Sequence, residues 1–152
     1  MKILMISDSH GNKKGINKIF AEKSFDYLIF LGDGLSDLGD YKYLENVYYV
    51  AGNCDFFSSE PNERVVTIAG KKFFITHGNK YGVKGRLDYI KARGDELGVD
   101  FVCFGHTHSQ CIESYNGKYL LNPGSFQKKS NDLSCGLQIE IGNDINISSF
   151  NV

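Results

Sequence analysis

Apolar runs in this chain repeatedly end on a polar residue beside a glycine. Lys2–Ser7 (KILMIS) is a continuous run of the kind that makes a strand buried on both faces, and it stops at Asp8. Asn12 stands where it would cap a helix carrying Ile16, Ile19 and Phe20 at i, i+3 and i+4. Tyr27–Leu31 and Val47–Val50 read as two further buried strands, ending at Gly32-Asp33 and Gly52-Asn53. The first third of the chain is therefore β-α-β-loop-β.

Arg64–Ala69 and Lys72–Thr76 flank Gly70-Lys71, a tight hairpin whose second strand runs into His77-Gly78. Lys84–Leu97 predicts a helix with Leu87, Ile90 and Leu97 on one face, weakened by Gly94 and stopped by Gly98. Phe101–Phe104 is another buried strand, leading to Gly105-His106-Thr107-His108. From residue 110 the pattern turns to strands at Gln110–Tyr115, Lys118–Leu121, Leu137–Ile141 and Ile145–Phe150. Asn116-Gly117 predicts a type I′ turn, and Asn143-Asp144 a second hairpin. With no linker and proline only at Pro61 and Pro123, residues 1–152 read as one domain. An α/β front half and a β-rich back half suggest two packed, mostly mixed sheets flanked by helices, an α/β/β/α sandwich.

Composition narrows the function classes. The chain has 152 residues, 41% hydrophobic and 23% charged, which suits a globular domain with a substantial core. A net charge of −1 supplies no basic field, so neither a membrane surface nor nucleic acid beyond nucleotide-like substrates is expected as a partner. No apolar run approaches the ~20 residues that span a bilayer. Ser7 and Asp8 interrupt the N-terminal run before any cleavage pattern, so the expected location is the cytoplasm. Cys54, Cys103, Cys111 and Cys135 form no C-x-x-C pair and read as free thiols, with Cys103 a small core residue.

The histidines carry the functional signal. All four follow apolar runs: His10 closes Asp8-Ser9-His10, His77 closes Phe73–Thr76, and His106 and His108 follow Phe101–Phe104. Residues i and i+2 of an extended chain share a side, which would aim Asp8 with His10, and His106 with His108, into one place. Carboxyl ends of strands are where open α/β sheets bind ligands. Gly11, Gly32, Gly34, Gly52, Gly78 and Gly105 accompany the candidates and would let the backbone bend and approach a ligand closely. Imidazole nitrogens mixed with carboxylate and amide oxygens, and no thiolate pair, suit Mn, Fe, Zn, Ni or Co. Seven donors (Asp8, His10, Asp33, Asn53, His77, His106 and His108) exceed the needs of one four-coordinate zinc. They can serve two divalent ions if one carboxylate bridges, and central Asp33 is the natural bridge. Asp8 and Asp33 would leave about two positive charges uncompensated on such a pair, which suits an anionic phosphate.

In order, Asp8-x-His10, Gly32-Asp33, Gly52-Asn53-Cys54-Asp55, His77-Gly78 and Gly105-His106-x-His108 resemble the calcineurin-like metallophosphoesterase superfamily. The nearest likeness is its small bacterial and archaeal phosphodiesterase branch, which shares Asn122-Pro123-Gly124-Ser125 after the last motif. The resemblance spans nearly the whole chain. It implies two sheets sandwiched between helices and a phosphodiesterase acting on a small-molecule phosphoester. It further implies two divalent metals, Mn foremost, with Ni, Zn, Fe, Co or Mg as alternatives. One metal would be held by Asp8, His10 and His108, the other by Asn53, His77 and His106, with Asp33 and the attacking hydroxide between them.

Many members of that superfamily place a histidine where this chain has Cys54, and that histidine assists the leaving group. A thiol is a weaker hydrogen-bond donor and lacks imidazolium's charge. Cys54 is thus either a packing residue or a weak catalytic group that biases the enzyme toward diesters with good leaving groups. Asp55 is either a group that orients a ligand or a surface turn residue. Ser125, Lys128 and Lys129 carry low weight as residues lining the substrate side. Asp37 and Asp40 read as surface acids, and Phe56-Phe57 as packing rather than a stacking platform. The alternative function is a non-catalytic metal-binding scaffold, since the retromer subunit is similar in overall plan and serves as an interaction module. A homo-oligomer is compatible with either reading.

Overall fold

The computed structural model describes residues 1–130 and 133–152. Side-chain alternation along the central strands decides its layers. β1 (Lys2–Ile6) sends Ile3 and Met5 to one face and Leu4 and Ile6 to the other, and all four are buried. Ile3 and Met5 enter a central cluster with Ile29, Phe73, Ile75 and Phe101, which joins the two sheets. Leu4 and Ile6 pack with Ile16 and Ile19 of α1 (Lys13–Glu22). On the far side Phe74, Val102 and Leu120 pack with Ile90 of α2 (Asp88–Leu97). The result is the expected α/β/β/α sandwich.

In the first sheet β1 lies parallel to β2 (Tyr27–Phe30), which lies parallel to β3 (Val47–Tyr49). In the second sheet β4 (Glu63–Ile68) lies antiparallel to β5 (Lys71–Thr76), and β5 is parallel to β6 (Phe101–Cys103). β7 (Gln110–Tyr115) forms a hairpin with β8 (Lys118–Pro123), which runs parallel to β6. Completing the first sheet, β9 (Cys135–Ile141) runs antiparallel to β1, and β10 (Ile145–Asn151) antiparallel to β9. Both sheets are five-stranded and mixed.

Register places the polar strand ends together. Pairing of Ile6 with Phe30 brings Asp8 beside Gly32, where the Asp8 amide donates to the Gly32 carbonyl at 2.9 Å. In the second sheet, pairing of Ile75 with Cys103 brings His77 beside Gly105, whose amide donates to the His77 carbonyl at 3.0 Å.

Four local expectations change. The helix expected from Lys84 begins at Asp88, because Gly82–Arg86 closes as a separate turn with the Arg86 amide on the Gly82 carbonyl at 3.1 Å. Gly94, read as a weak point, is what lets that helix approach the sheet, since a Cβ there would collide with Val102 and Tyr115. The first hairpin turns at Ala69-Gly70, one residue early, with both residues left-handed (φ 51° and 74°). The segment after Gly34 is a 3-10 helix, Leu35–Tyr43, kinked at Gly39. Asn12 caps α1 as expected, its side chain accepting from the Gly15 amide at 3.0 Å.

Candidate metal centre

Asp8 follows β1, Asp33 follows β2, His77 follows β5 and His106 follows β6, and their side chains converge where these strands end. Asp8, His10 and His108 form one group whose donor atoms all lie within 4.8 Å of one another, and Asp33, His77 and His106 form a second. The two groups adjoin: His10 Nε2 is 3.6 Å from Asp8 Oδ1 and 3.8 Å from Asp33 Oδ2. His77 Nε2 lies 3.2 Å from Asp33 Oδ2 and 3.9 Å from Asp8 Oδ1. Six of the seven expected donors therefore meet in one place. His106 and His108 fall in different groups, the division that the family resemblance implies.

The convergence is not achieved by extended alternation. Among the described residues eight non-glycines have positive φ, and five of them are Asp8, His10, Asp33, His106 and His108. Such conformations are costly for residues with a Cβ, and they persist where surrounding bonds over-determine them. Asp8 Oδ2 accepts from Ser7 Oγ at 2.6 Å and from the His106 amide at 3.0 Å, tying β1 to β6. A Cβ on Gly105 would lie 2.8 Å from that same oxygen, so the two loops touch only because residue 105 has none.

Charge and tautomer point to a cation. The Leu31 carbonyl, which can only accept, sits 2.7 Å from His77 Nδ1, so Nδ1 carries the proton. Nε2 is thereby left facing Asp33 Oδ2 at 3.2 Å, a contact that a proton on Nε2 or a bound cation satisfies. Burial resists ionisation of Asp33, but hydrogen bonds from His77 and the Cys54 amide outweigh it and hold the carboxyl down at about 2. Burial likewise resists charging of His77, yet the neighbouring Asp33 and Asp8 push its pKa up. For His106, burial and then His77 and Lys84 push it down. Asp8 Oδ1 and His10 Nε2 are buried and have no hydrogen-bond partner among the described residues, with His108 Nε2 3.1 Å from Asp8 Oδ1. Unpartnered buried polar atoms are rare and expensive, and here both face the same space. Donor chemistry, tautomer and orphaned atoms all fit divalent cations.

The remaining expected site residues sit on the open side. Asn53 is exposed and its amide lies 3.5 Å from the Cys54 sulfur. Cys54 is exposed, and its Sγ forms a third close group with His10 and Asp33. Burial, and then the Asp33 charge, push its pKa up, so the thiol keeps its proton. Asp55 is an orienting group. Its two oxygens accept from the amides of Asp33, Gly34, Leu35 and Gly52 at 2.7–2.9 Å, clamping the ends of β2 and β3 together.

Other residues act through the loops. Asp37, expected at the surface, is buried and accepts from Ser9 Oγ at 2.6 Å and the Gly11 amide at 2.8 Å, bracing the loop that carries His10. No sequence signal marks it, because the 3-10 helix that turns it inward has no periodicity to read. Buried Asn122 donates to the Gly105 carbonyl and to Thr107 Oγ1, both at 3.0 Å, holding the His106–His108 loop. Ser125 Oγ donates to the Asp8 carbonyl at 3.2 Å. Asp40, Lys128 and Lys129 are exposed.

A four-layer sandwich with histidines and carboxylates gathered at its strand ends defines a candidate metal-dependent hydrolase. Residues 1–142 match the calcineurin-like phosphoesterase superfamily domain, and the chain belongs to that family. A probable metallophosphoesterase, YsnB of Bacillus subtilis, is 37% identical over 129 residues, which are 84% of this chain and 76% of that protein. Solved structures share the fold as well. A structure described as a novel archaeal phosphodiesterase has a TM-score of 0.79 at 22% identity, covering all of both chains. Zinc-complexed Vps29 of Entamoeba histolytica has a TM-score of 0.76 at 20% identity, covering 99% of each. No helix among the described residues is long and apolar enough to cross a membrane.

Proposed function

We propose that this chain is a phosphodiesterase that works with two divalent cations, manganese foremost. Asp8, His10 and His108 would hold one cation and Asn53, His77 and His106 the other, with Asp33 available to both groups. The observation that carries the reading is the adjoining pair of carboxylate–histidine groups with orphaned Asp8 Oδ1 and His10 Nε2 between them. Cations bound there would lower the pKa of water from about 15.7 to about 7 and neutralise charge on a phosphoryl group.

The protein's own groups supply orientation and selectivity. The Leu31 carbonyl sets the His77 tautomer, and Asp55 and Asn122 hold the loops that present Asp33 and His106. Two carboxylates among the donors leave the site net positive, which favours an anionic ester. Cys54 holds a proton but no charge, so it protonates a departing oxygen poorly. Esters whose leaving oxygen departs unprotonated, aryl diesters above all, are the favoured class.

The test is a hydrolysis screen of purified protein with Mn, Ni, Zn or Mg against aryl diesters, monoesters, cyclic nucleotides and phospholipid-like esters. Metal-stimulated, chelator-sensitive turnover fastest on aryl diesters is expected. No turnover with any metal, in protein shown to bind two per chain, would replace the reading with the non-catalytic scaffold.

A further inference from the structure

Beside the metal centre, on the side of Cys54, lies a recess of about 570 Å³ between the 3-10 helix Leu35–Tyr43 and residues 54–58. Its walls include Leu35, Gly39, Lys42, Phe56 and Phe57, and Cys54 belongs both to this wall and to the group formed with His10 and Asp33. A phosphorus held at the metal centre would therefore have one ester arm directed toward the recess.

The two phenylalanines are out of character for this chain. Phe30, Phe73, Phe74, Phe101, Phe104 and Phe126 are fully buried, whereas Phe56 is 76% exposed and Phe57 fully exposed. Phe57 also holds a left-handed backbone at φ 63°, which a bulky residue adopts only at a cost. An expensive backbone conformation that leaves an aromatic ring in water, beside a reaction centre, calls for a ligand that covers the ring. Recess size falls within the range of small-molecule sites, and flat apolar rings pair by stacking.

We propose that this recess is the ester-arm subsite and takes a planar aromatic group, aryl or nucleobase, stacked on Phe56 and Phe57. The inference rests on the phosphodiesterase reading for its phosphate anchor. It adds Phe56 and Phe57 as specificity residues.

Binding of methyl phosphate, phenyl phosphate and adenosine monophosphate to the metal-loaded protein, by calorimetry, tests it without turnover. The expected result is about tenfold tighter binding of the ring-bearing phosphates, lost in Phe57→Ala, with methyl phosphate unchanged. Phenyl phosphate retaining the gain while adenosine monophosphate does not marks the arm as aryl; gain by both admits a nucleobase. Phe57→Gly is a second variant with an opposite signature: higher thermal stability from relief of the left-handed strain, together with the same loss of ring preference. Equal binding of all three phosphates by wild type, or ring preference unchanged in Phe57→Ala, would overturn the subsite. A concentration-dependent dimer abolished by Phe57→Ala, with phosphate binding untouched, would overturn it in favour of an interface. Turnover of diesters without ring preference sinks the subsite alone. Ring preference in a protein that hydrolyses nothing sinks the activity alone.

Discussion

The two sides of the metal centre are built on opposite principles. On the inner side Asp8 and His77 are completely buried, Asp33 nearly so, and each is pinned by a backbone partner. On the outer side Asn53, Cys54, Phe56 and Phe57 stand in solvent on a short loop. The inner residues sit on elements locked by sheet register and by three strand ends, so their geometry has little freedom. The outer loop is tied back by Asp55, which accepts four amides, and by the Cys54 amide on Asp33 Oδ1. On the proposed reading, chemistry is placed where the fold is rigid, and substrate choice where side chains can change without disturbing it.

Removing the inner charge should have the largest effect. Asp33→Asn is expected to lower activity more than about 100-fold, since even groups outside the coordination sphere are worth 10–100-fold. It should also reduce the metal content below two per chain. Full activity with two metals bound would break the distinction between the sides. Acid stability gives an independent readout in chelated protein. The folded pKa of Asp33 is about 2 against an ordinary 3.8, so its contribution is present above pH 3.8 and lost as pH falls through 2. Asp33→Asn should remove that component of the acid transition, measured by unfolding between pH 5 and 2.

The Asp55 clamp comes next. Asp55→Ala leaves four amides without their acceptor, and a stability loss of about 1–3 kcal/mol is expected from partly desolvated donors. Metal affinity should fall by about 10–100-fold, because Asp33 and Gly52 lose their common tie. A surface-turn role predicts neither loss, so unchanged affinity in calorimetry would return Asp55 to that role.

Much of the inner side was legible in the sequence, and much of the outer side was not. Ile3, Ile29, Phe73 and Phe101 lie in continuous apolar runs, and such runs specify buried strands whatever their partners are. Asp8, Asp33, His77 and His106 were readable because they end those runs. Side-chain direction was less readable: Asp8 and His10 meet through positive φ rather than strand alternation, and nothing in Asp-Ser-His announces that. Asp37 was misplaced because a 3-10 helix of changing direction turns it inward. Phe56 and Phe57 were misplaced because an exposed aromatic pair looks the same in sequence as a buried one. Composition cannot tell a ring that packs from a ring that stands in solvent.

Cys54 lies on the boundary between the two sides, and changing it should have the smallest and most informative effect. Its thiol is held protonated by burial and by Asp33, and it can offer a leaving oxygen a weak hydrogen bond without charge. Cys54→His introduces a group that can carry charge near neutral pH while leaving all seven proposed metal donors in the chain. Rates on alkyl diesters and monoesters, whose leaving oxygens need a proton, should rise several-fold relative to aryl diesters. Metal stoichiometry should stay at wild type, which separates this effect from damage to the centre. An unchanged alkyl-to-aryl ratio would mean that protonation does not limit turnover here. The outer side would then select esters by the shape of the recess alone, and Phe57 rather than Cys54 would set the specificity.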